Sequence, residues 1–244
     1  MIGRLEYGRT VTSVAAEFGI NKSVVSRAWK AFQTTVVQRA QKLDNCQWSR
    51  ALFTDESRFS TRSDSRCVLI WREIGTRFYT SNIKERHHYG GPGVLVWGGI
   101  MLNGRTEPHI FDRWSVTGDR YCEEVLLPHA RLFRGAIGPD FIFMDDNARP
   151  HRTLAVEELL ESEDITRIDW PAYSPDLNPI EHVSDALGRR IAARLDHLEN
   201  TQQLKQMLIE EWVLLPQEML HQLVLCMRRR CEVTIAVRGG HIPY

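Results

Sequence analysis

Three observations predict an α/β fold, a mixed sheet with helices on its faces, preceded by a small all-helical unit. Apolar residues recur at helical spacing from Met1 to about Gln33, and strand-like runs begin near Trp48. From Phe141 strand and helix patterns alternate, and after Pro179 the chain reads as mainly helical. Its 244 residues can bury a sizeable core, and 43% hydrophobic with 25% charged residues is an ordinary globular make-up. Disordered, collagen-like and coiled-coil classes are excluded.

No window approaches the roughly 18 uninterrupted apolar residues of a membrane span, and Met1–Arg9 lacks the apolar stretch of a secretory signal. Five cysteines (Cys46, Cys67, Cys122, Cys226, Cys231) contain no CxxC pair. Reduced thiols are therefore expected, without a disulfide framework or a structural zinc site.

The N-terminal unit reads as three short helices. The first is Ile2–Tyr7, ended by Gly8. The second runs from Thr12, its N-cap, through Phe18 to Gly19. The third opens at Asn21 or Ser23 and runs through Val24, Val25, Ala28, Trp29 and Phe32. The turn EFGINKS between the last two gives a helix-turn-helix pattern. Its third helix shows Lys22, Ser23, Ser26, Arg27 and Lys30 outward, positions that in this motif reach bases and phosphates; a plain three-helix packing unit gives the same pattern.

Strands follow at Arg50–Ser60, Cys67–Trp71 and Gly93–Leu102, the last returning through an Asn103-Gly104 turn to a strand near Pro108–Phe111. Gly118–Phe133 reads as a helix, Phe141–Asp146 as a buried central strand, His151–Ser162 as an amphipathic helix and Ile165–Trp170 as a short strand. The Gly90–Gly93 run lacks the Lys-Ser/Thr of a P-loop and reads as a turn, and His87-His88 has no third ligand at metal spacing.

The formal net charge is zero, yet its distribution is uneven. Residues 1–45 hold seven Lys/Arg against three Asp/Glu, and residues 222–244 hold four against one. Residues 145–187 hold eleven acids against three bases. Basic ends around an acidic centre suit phosphate contact at the ends and cation binding in the middle; solvated faces are the plainer explanation.

Two apolar strands run into paired acids, Asp55-Glu56 and Asp145-Asp146. Neighbours on a strand point to opposite faces, so at most one of each pair can join a common site. A third acid, Glu181, follows Asn178 and Pro179, a combination that also forms a helix-capping box. Capping and catalysis are compatible readings of Glu181. Carboxylates converging from two strands and a helix would hold two Mg²⁺ ions, which take oxygen ligands and serve phosphodiester displacement. With 31 acids in the chain, spacing alone decides little.

Four stretches in order, LFTDESRF, GPGVLVWGGIMLNGRT, FMDDNARPH and DWPAYSPDLNPIEHV, resemble the Tc-type branch of the mariner superfamily of transposases. The separation of Asp146 from Glu181, with positions 147–180 between them, is the spacing of that branch. The resemblance covers roughly Arg50 to the C-terminus, and the segment 1–33 resembles the family's first paired-like DNA-binding subdomain. It implies an RNase H-like core with an Asp-Asp-Glu triad, here Asp55, Asp146 and Glu181, as catalytic residues and metal ligands. It also implies two Mg²⁺ ions, with Mn²⁺ as substitute, and cut-and-paste chemistry. Such enzymes hydrolyse phosphodiester bonds at transposon ends and transfer the freed strands into target DNA. The implied partners are double-stranded DNA, as terminal repeats and target, and a second subunit in a homodimer, without membrane or small-molecule cofactor. Asn147 and His151 match the family pattern as supporting residues with no role assigned.

The implied organisation is a helix-turn-helix unit at 1–33, a linker at 34–47 and an RNase H-like catalytic domain at 48–244. The family usually carries two helix-turn-helix units, a basic hook and a nuclear localisation run. The segment Gln33–Gln47, between Phe32 and Trp48, is too short to hold these, so the chain resembles an internally deleted copy. A nuclear location is implied by the resemblance; without a clear localisation signal, cytoplasmic retention is the alternative. Ser184 stands where the family usually places Trp, which points to a packing defect of about 3–5 kcal/mol if that position is buried. The competing function is a DNA-binding remnant that occupies ends or sequesters full-length subunits. Arg228–Arg230 read as solvated, with DNA-backbone contact or nuclear entry as the functional alternative.

Overall fold

The computed structural model describes residues 10–61, 93–113, 115–171, 174–194 and 200–236 of the chain. The helix expected at Ile2–Tyr7, the strand at Cys67–Trp71, the His87-His88 pair and Gly90–Pro92 lie outside the described residues.

Helix α1 (Val11–Phe18) is capped by Thr10, whose side chain accepts the Ser13 N–H at 3.1 Å. The cap is thus two residues earlier than Thr12, which joins the first turn. Gly19 ends α1 at φ 62°, a left-handed conformation that glycine adopts without a Cβ clash. Asn21 opens α2 (Lys22–Gln41) by accepting the Ser23 N–H. Val14, Ala15, Val25 and Trp29 form the small core between these helices, with Phe32 stacked on Trp29 at 5.6 Å.

Helix α2 does not stop near Phe32. It continues through most of the segment expected as linker, because Val36, Val37 and Ala40 are buried, the last two within the main core. At 20 residues it is about 30 Å long. Its first half packs on α1 and its second on the C-terminal helix. The short α3 (Asn45–Ser49), closed by an Asp44–Gln47 capping box, delivers the chain to the sheet.

The sheet contains β1 (Ala51–Ser60), β2 (Gly93–Met101), β3 (Gly104–Arg105), β4 (His109–Phe111), β5 (Ile142–Met144) and β6 (Thr166–Arg167). Its order is β3-β2-β1-β5-β6, with β4 also paired to β2. β1 pairs antiparallel with β2 and parallel with β5, and β5 pairs parallel with β6. Antiparallel hairpin strands followed by a strand–helix–strand unit thus form one mixed sheet, as the alternation of patterns predicts.

One sheet face is covered by α4 (Gly118–Tyr121), a π-helical stretch (Cys122–Ala130), α5 (Arg131–Ile137) and α6 (Leu154–Ser162). Pro128 lies within the π stretch and removes one N–H from the helical ladder, a place where helices commonly widen. A Cβ on Gly118 would overlap Thr153, so glycine there lets α4 meet the start of α6. The other face is covered by α7 (Pro179–Arg194), α8 (Thr201–Val213), α9 (Gln217–Leu225) and α10 (Met227–Ala236). Leu52 and Phe143 belong to the first face, Phe53 and Met144 to the second, the alternation a pleated strand imposes. Among the described residues no helix is long and apolar enough to cross a membrane.

Candidate active site

β1 and β5 are neighbours in register, Phe53 opposite Met144, so Asp55-Glu56 within β1 and Asp145-Asp146 just past the end of β5 lie on adjacent chain segments. Asp55 shares the strand face of Phe53 and Ser57, the face covered by α7; Ser57 and Ser184 of α7 exchange a hydroxyl hydrogen bond at 2.8 Å. Glu56 points to the opposite face, where its carboxylate meets His151.

Thr54 joins three segments. Its hydroxyl donates to the Met144 carbonyl at 2.8 Å, and its own carbonyl accepts from the Asn178 side-chain amide at 3.2 Å. Asn178 also offers its side-chain oxygen to the Ile180 N–H in the first turn of α7. The strand carrying Asp55, the strand that precedes Asp145-Asp146 and the helix carrying Glu181 are thereby tied together close to each of these acids. Neither Thr54 nor its bond to Asn178 was legible in the sequence, because both lie on side chain–backbone contacts.

Asp55 is electrostatically coupled to three other acids. Burial, then the charges of Glu181, Glu56 and Asp146, push its carboxyl up to about 8. Burial and the Asp146 charge also raise Glu181 above the usual carboxylate range. Asp146 behaves differently. Burial works against its charge, but the hydrogen bond and charge of His151, with the Ala148 N–H, hold its carboxyl below the usual range.

His151 is 3% exposed and lies between two carboxylates. Its Nδ1 is 2.8 Å from Asp146 Oδ1 and its Nε2 is 3.1 Å from Glu56 Oε1. Carboxylate oxygens accept hydrogen bonds, so the setting between two of them favours the protonated ring, with both nitrogens as donors. Burial alone would disfavour that charge; Glu56 and Asp146 outweigh it and hold the ring well above the usual histidine range. Tyr121 lies over the imidazole, with ring centroids 4.1 Å apart. Glu56, Asp146 and His151 each present an atom within 4.8 Å of the others, a cation-sized cluster that includes neither Asp55 nor Glu181.

Asp145 is fully buried, and its oxygens take no hydrogen bond from a described residue. Burial pushes it up to about 6, an effect that His151 and then Arg167, 3.7 Å away, oppose. Asn147 donates to the Trp170 carbonyl at 2.5 Å and accepts from Arg152, which anchors the loop after Asp146. A cleft of about 340 Å³ opens beside this loop, lined by Phe32, Val36, Arg39, Asn147, Arg152 and Trp170 among others.

Of the residues expected to read DNA, Lys22, Ser23, Arg27 and Lys30 are exposed and Ser26 is half-buried. The Ser23 hydroxyl donates to Asn21 Oδ1 at 2.8 Å, a capping contact. Arg230 proves to be 2% exposed, with its guanidinium on Cys226 Sγ and the Asp176 carbonyl, whereas Arg228 and Arg229 are exposed. It is a packing residue; its spacing on the helix turns it inward while its neighbours face solvent. Ser184 is half-buried and hydrogen-bonded to Ser57, so the buried position on which the expected packing defect depended is not what the structure has there.

Comparison with known proteins agrees with this arrangement. Residues 50–205 match the family model described as DDE superfamily endonuclease. The chain is 29% identical over 197 residues to the Transposable element Tc3 transposase of Caenorhabditis elegans, covering 81% of this chain and 59% of that protein. It is 30% identical over 201 residues to the Tcb2 transposase of Caenorhabditis briggsae, covering 81% of this chain and 71% of that one. The chain therefore spans little more than half the length of the first of these relatives. Among solved structures, it is similar to a pre-cleavage Mos1 transpososome, with TM-score 0.71 and 16% identity over 97% of this chain and 76% of that one. It is also similar to the catalytic domain of Mos1 mariner transposase, with TM-score 0.65 and 15% identity over 88% of this chain and 96% of that one. The mixed sheet is thus the RNase H-like fold of that domain. With β1, β5 and the start of α7 inside the matched residues, the chain belongs to the DDE endonuclease superfamily, in the branch of the Tc-type transposases.

Proposed function

We propose that this chain is a DNA transposase of the cut-and-paste type, hydrolysing phosphodiester bonds at transposon ends and joining the freed 3′-hydroxyls to target DNA. The observation that carries this reading is the mutual charge of Asp55, Asp146 and Glu181. Burial, then the charges of Glu181, Glu56 and Asp146, set the cost of ionising Asp55 and raise its carboxyl to about 8, and burial with the Asp146 charge raises Glu181. A divalent cation would relieve that cost, and an all-oxygen donor set suits Mg²⁺ or Mn²⁺.

Asp55, Asp146 and Glu181 would hold the metal, two ions by resemblance to the family. When bound, such ions lower the pKa of an attacking water or hydroxyl and stabilise the leaving oxygen. The protein's own part is positional. Thr54 and Asn178 hold the strands and helix that bear the acids. A phosphate backbone running past the acids would have to compete with Asp169 and Glu157 for Arg39 and Arg152, with which they pair at the cleft beside Asn147.

Lys22, Arg27 and Lys30, with Ser26 beside them, would contact the terminal repeat, making residues 10–33 part of a DNA-binding unit ahead of the catalytic domain. The Mos1 structures include a paired-end complex with Mn and a strand transfer complex, which supports DNA ends, a divalent ion and paired subunits as partners here as well. Action on chromosomal DNA would make the protein nuclear.

Incubation with DNA carrying transposon ends and Mg²⁺ or Mn²⁺ tests the reading. Nicking at the ends that disappears in Asp146→Asn is the expected result. No nicking by the unaltered protein, or nicking that survives Asp146→Asn, would reject it.

A further inference from the structure

We propose that His151, held by Glu56, is a positioning residue that commits one oxygen of Asp146 and leaves the other as its single oxygen for a cation. This rests on the reading of Asp146 as a metal ligand. Asp146 Oδ1 accepts the Ala148 N–H at 2.8 Å and is ion-paired with His151 Nδ1 at 2.8 Å, a nitrogen that also meets the Asp146 carbonyl oxygen at 3.3 Å. A carboxylate with one oxygen held twice cannot rotate freely or turn both oxygens to one ion. The imidazole is itself fixed. Its Nε2 donates to Glu56 Oε1 at 3.1 Å, and Tyr121 lies over its face at 4.1 Å. Glu56 is thereby occupied too and is withheld from the cation that Asp55, its strand neighbour, would meet. The pair converts a cluster of four nearby acids into a defined set with one-oxygen contact at Asp146.

The consequence is discrimination between cations. Mg²⁺ demands near-ideal octahedral geometry, whereas Ca²⁺ accepts more oxygens and bidentate carboxylates. A carboxylate limited to one oxygen favours Mg²⁺. Releasing Asp146 and Glu56 together would favour Ca²⁺. The ratio of the two affinities is the informative quantity, because a change of charge beside the acids affects both divalent ions alike.

The test is competition of Mg²⁺ and of Ca²⁺ against Mn²⁺ bound to the full chain, followed by electron paramagnetic resonance without DNA. His151→Phe keeps a ring over Tyr121 and removes both donors. The expected result is a shift of the Mg²⁺-to-Ca²⁺ preference toward Ca²⁺ by about tenfold, the scale on which outer hydrogen bonds tune metal sites. His151→Asn places an amide N–H near the former Nδ1 and should recover most of the preference. Glu56→Gln still offers an acceptor to Nε2 and should stay within about threefold of the parent. An unchanged ratio in His151→Phe would overturn the proposal. So would a loss of about tenfold or more for both ions in Glu56→Gln, which would make Glu56 a ligand itself. If the unaltered protein binds none of the three ions, the acidic centre is not a metal site and the transposase reading falls with it.

Discussion

Asn178 donates its side-chain amide to the carbonyl oxygen of Thr54 at 3.2 Å, although 124 positions separate them in the chain. Both residues are buried, and each adjoins or nearly adjoins an acid of the triad. Asp55 follows Thr54 directly, and Glu181 is three positions beyond Asn178. The same Asn178 side chain caps the Ile180 N–H, so one residue both starts α7 and fastens it to the sheet. Asn178→Ala would leave a buried carbonyl and a helix-end N–H without partners. A stability loss of about 1–3 kcal/mol in urea unfolding is expected. Cleavage should fall further than unfolding accounts for, since Glu181 loses its anchor. An Asn178→Ala protein with unaltered cleavage would show that α7 is held by its apolar face alone.

Stability of the metal-free protein should depend on pH through Asp55. Its carboxyl is raised from 3.8 to about 8 on folding, so between those values the folded state holds a proton that the unfolded chain has lost. Stability contributed by the neutral form is therefore full below about 4, declines as pH rises toward 8 and flattens above it. Saturating Mg²⁺ should raise the melting temperature more at pH 8 than at pH 5, because binding needs the ionised form. A metal-induced shift independent of pH over this window, or Asp55→Asn following the parent curve, would place the effect elsewhere.

Ser184 sits where its resemblance to the family calls for Trp, and its hydroxyl pairs with that of Ser57 at 2.8 Å. The position is half-buried. Ser184→Ala should therefore cost no more than about 0.5–1.5 kcal/mol, the net value of one hydrogen bond. A loss of about 3 kcal/mol or more in denaturant unfolding, on the order of a core cavity, would mean the site is packed more tightly than this contact indicates.

The N-terminal helices carry a separable prediction. Arg27 and Lys30 are exposed on the same helix, one turn apart. The Arg27→Ala, Lys30→Ala double variant should lower affinity for terminal-repeat DNA and flatten the dependence of log K on log salt by about two units. Ser23→Ala, which removes a capping contact, should leave that slope unchanged. Equal slopes for the double variant and the parent would remove this helix from the DNA interface.

Much of this fold was legible because the hydrophobic patterns are local. The runs ending at Thr54 and Met144 are continuous and apolar, so both were readable as buried strands feeding acids, and the parity of Asp55 against Glu56 followed from the pleat. The extent of α2 was not. Thr34, Thr35, Val36 and Val37 are weak helix formers, and only burial of Val37 and Ala40 in the main core shows why the helix persists. The partnership of Glu56 with His151 was hidden for another reason. It joins residues 95 positions apart, and face parity says which way Glu56 points without saying what it meets. Arg230 was obscured by its neighbours, since three successive arginines give no hint that one is buried.

Anomalous diffraction from crystals of the protein soaked in Mn²⁺ tests the central assignment most directly. The expected result is manganese bonded to oxygens of Asp55, Asp146 and Glu181, with His151 still hydrogen-bonded to Asp146. Manganese held instead between Glu56 and His151, or absent from all of these carboxylates at saturating concentration, would contradict it.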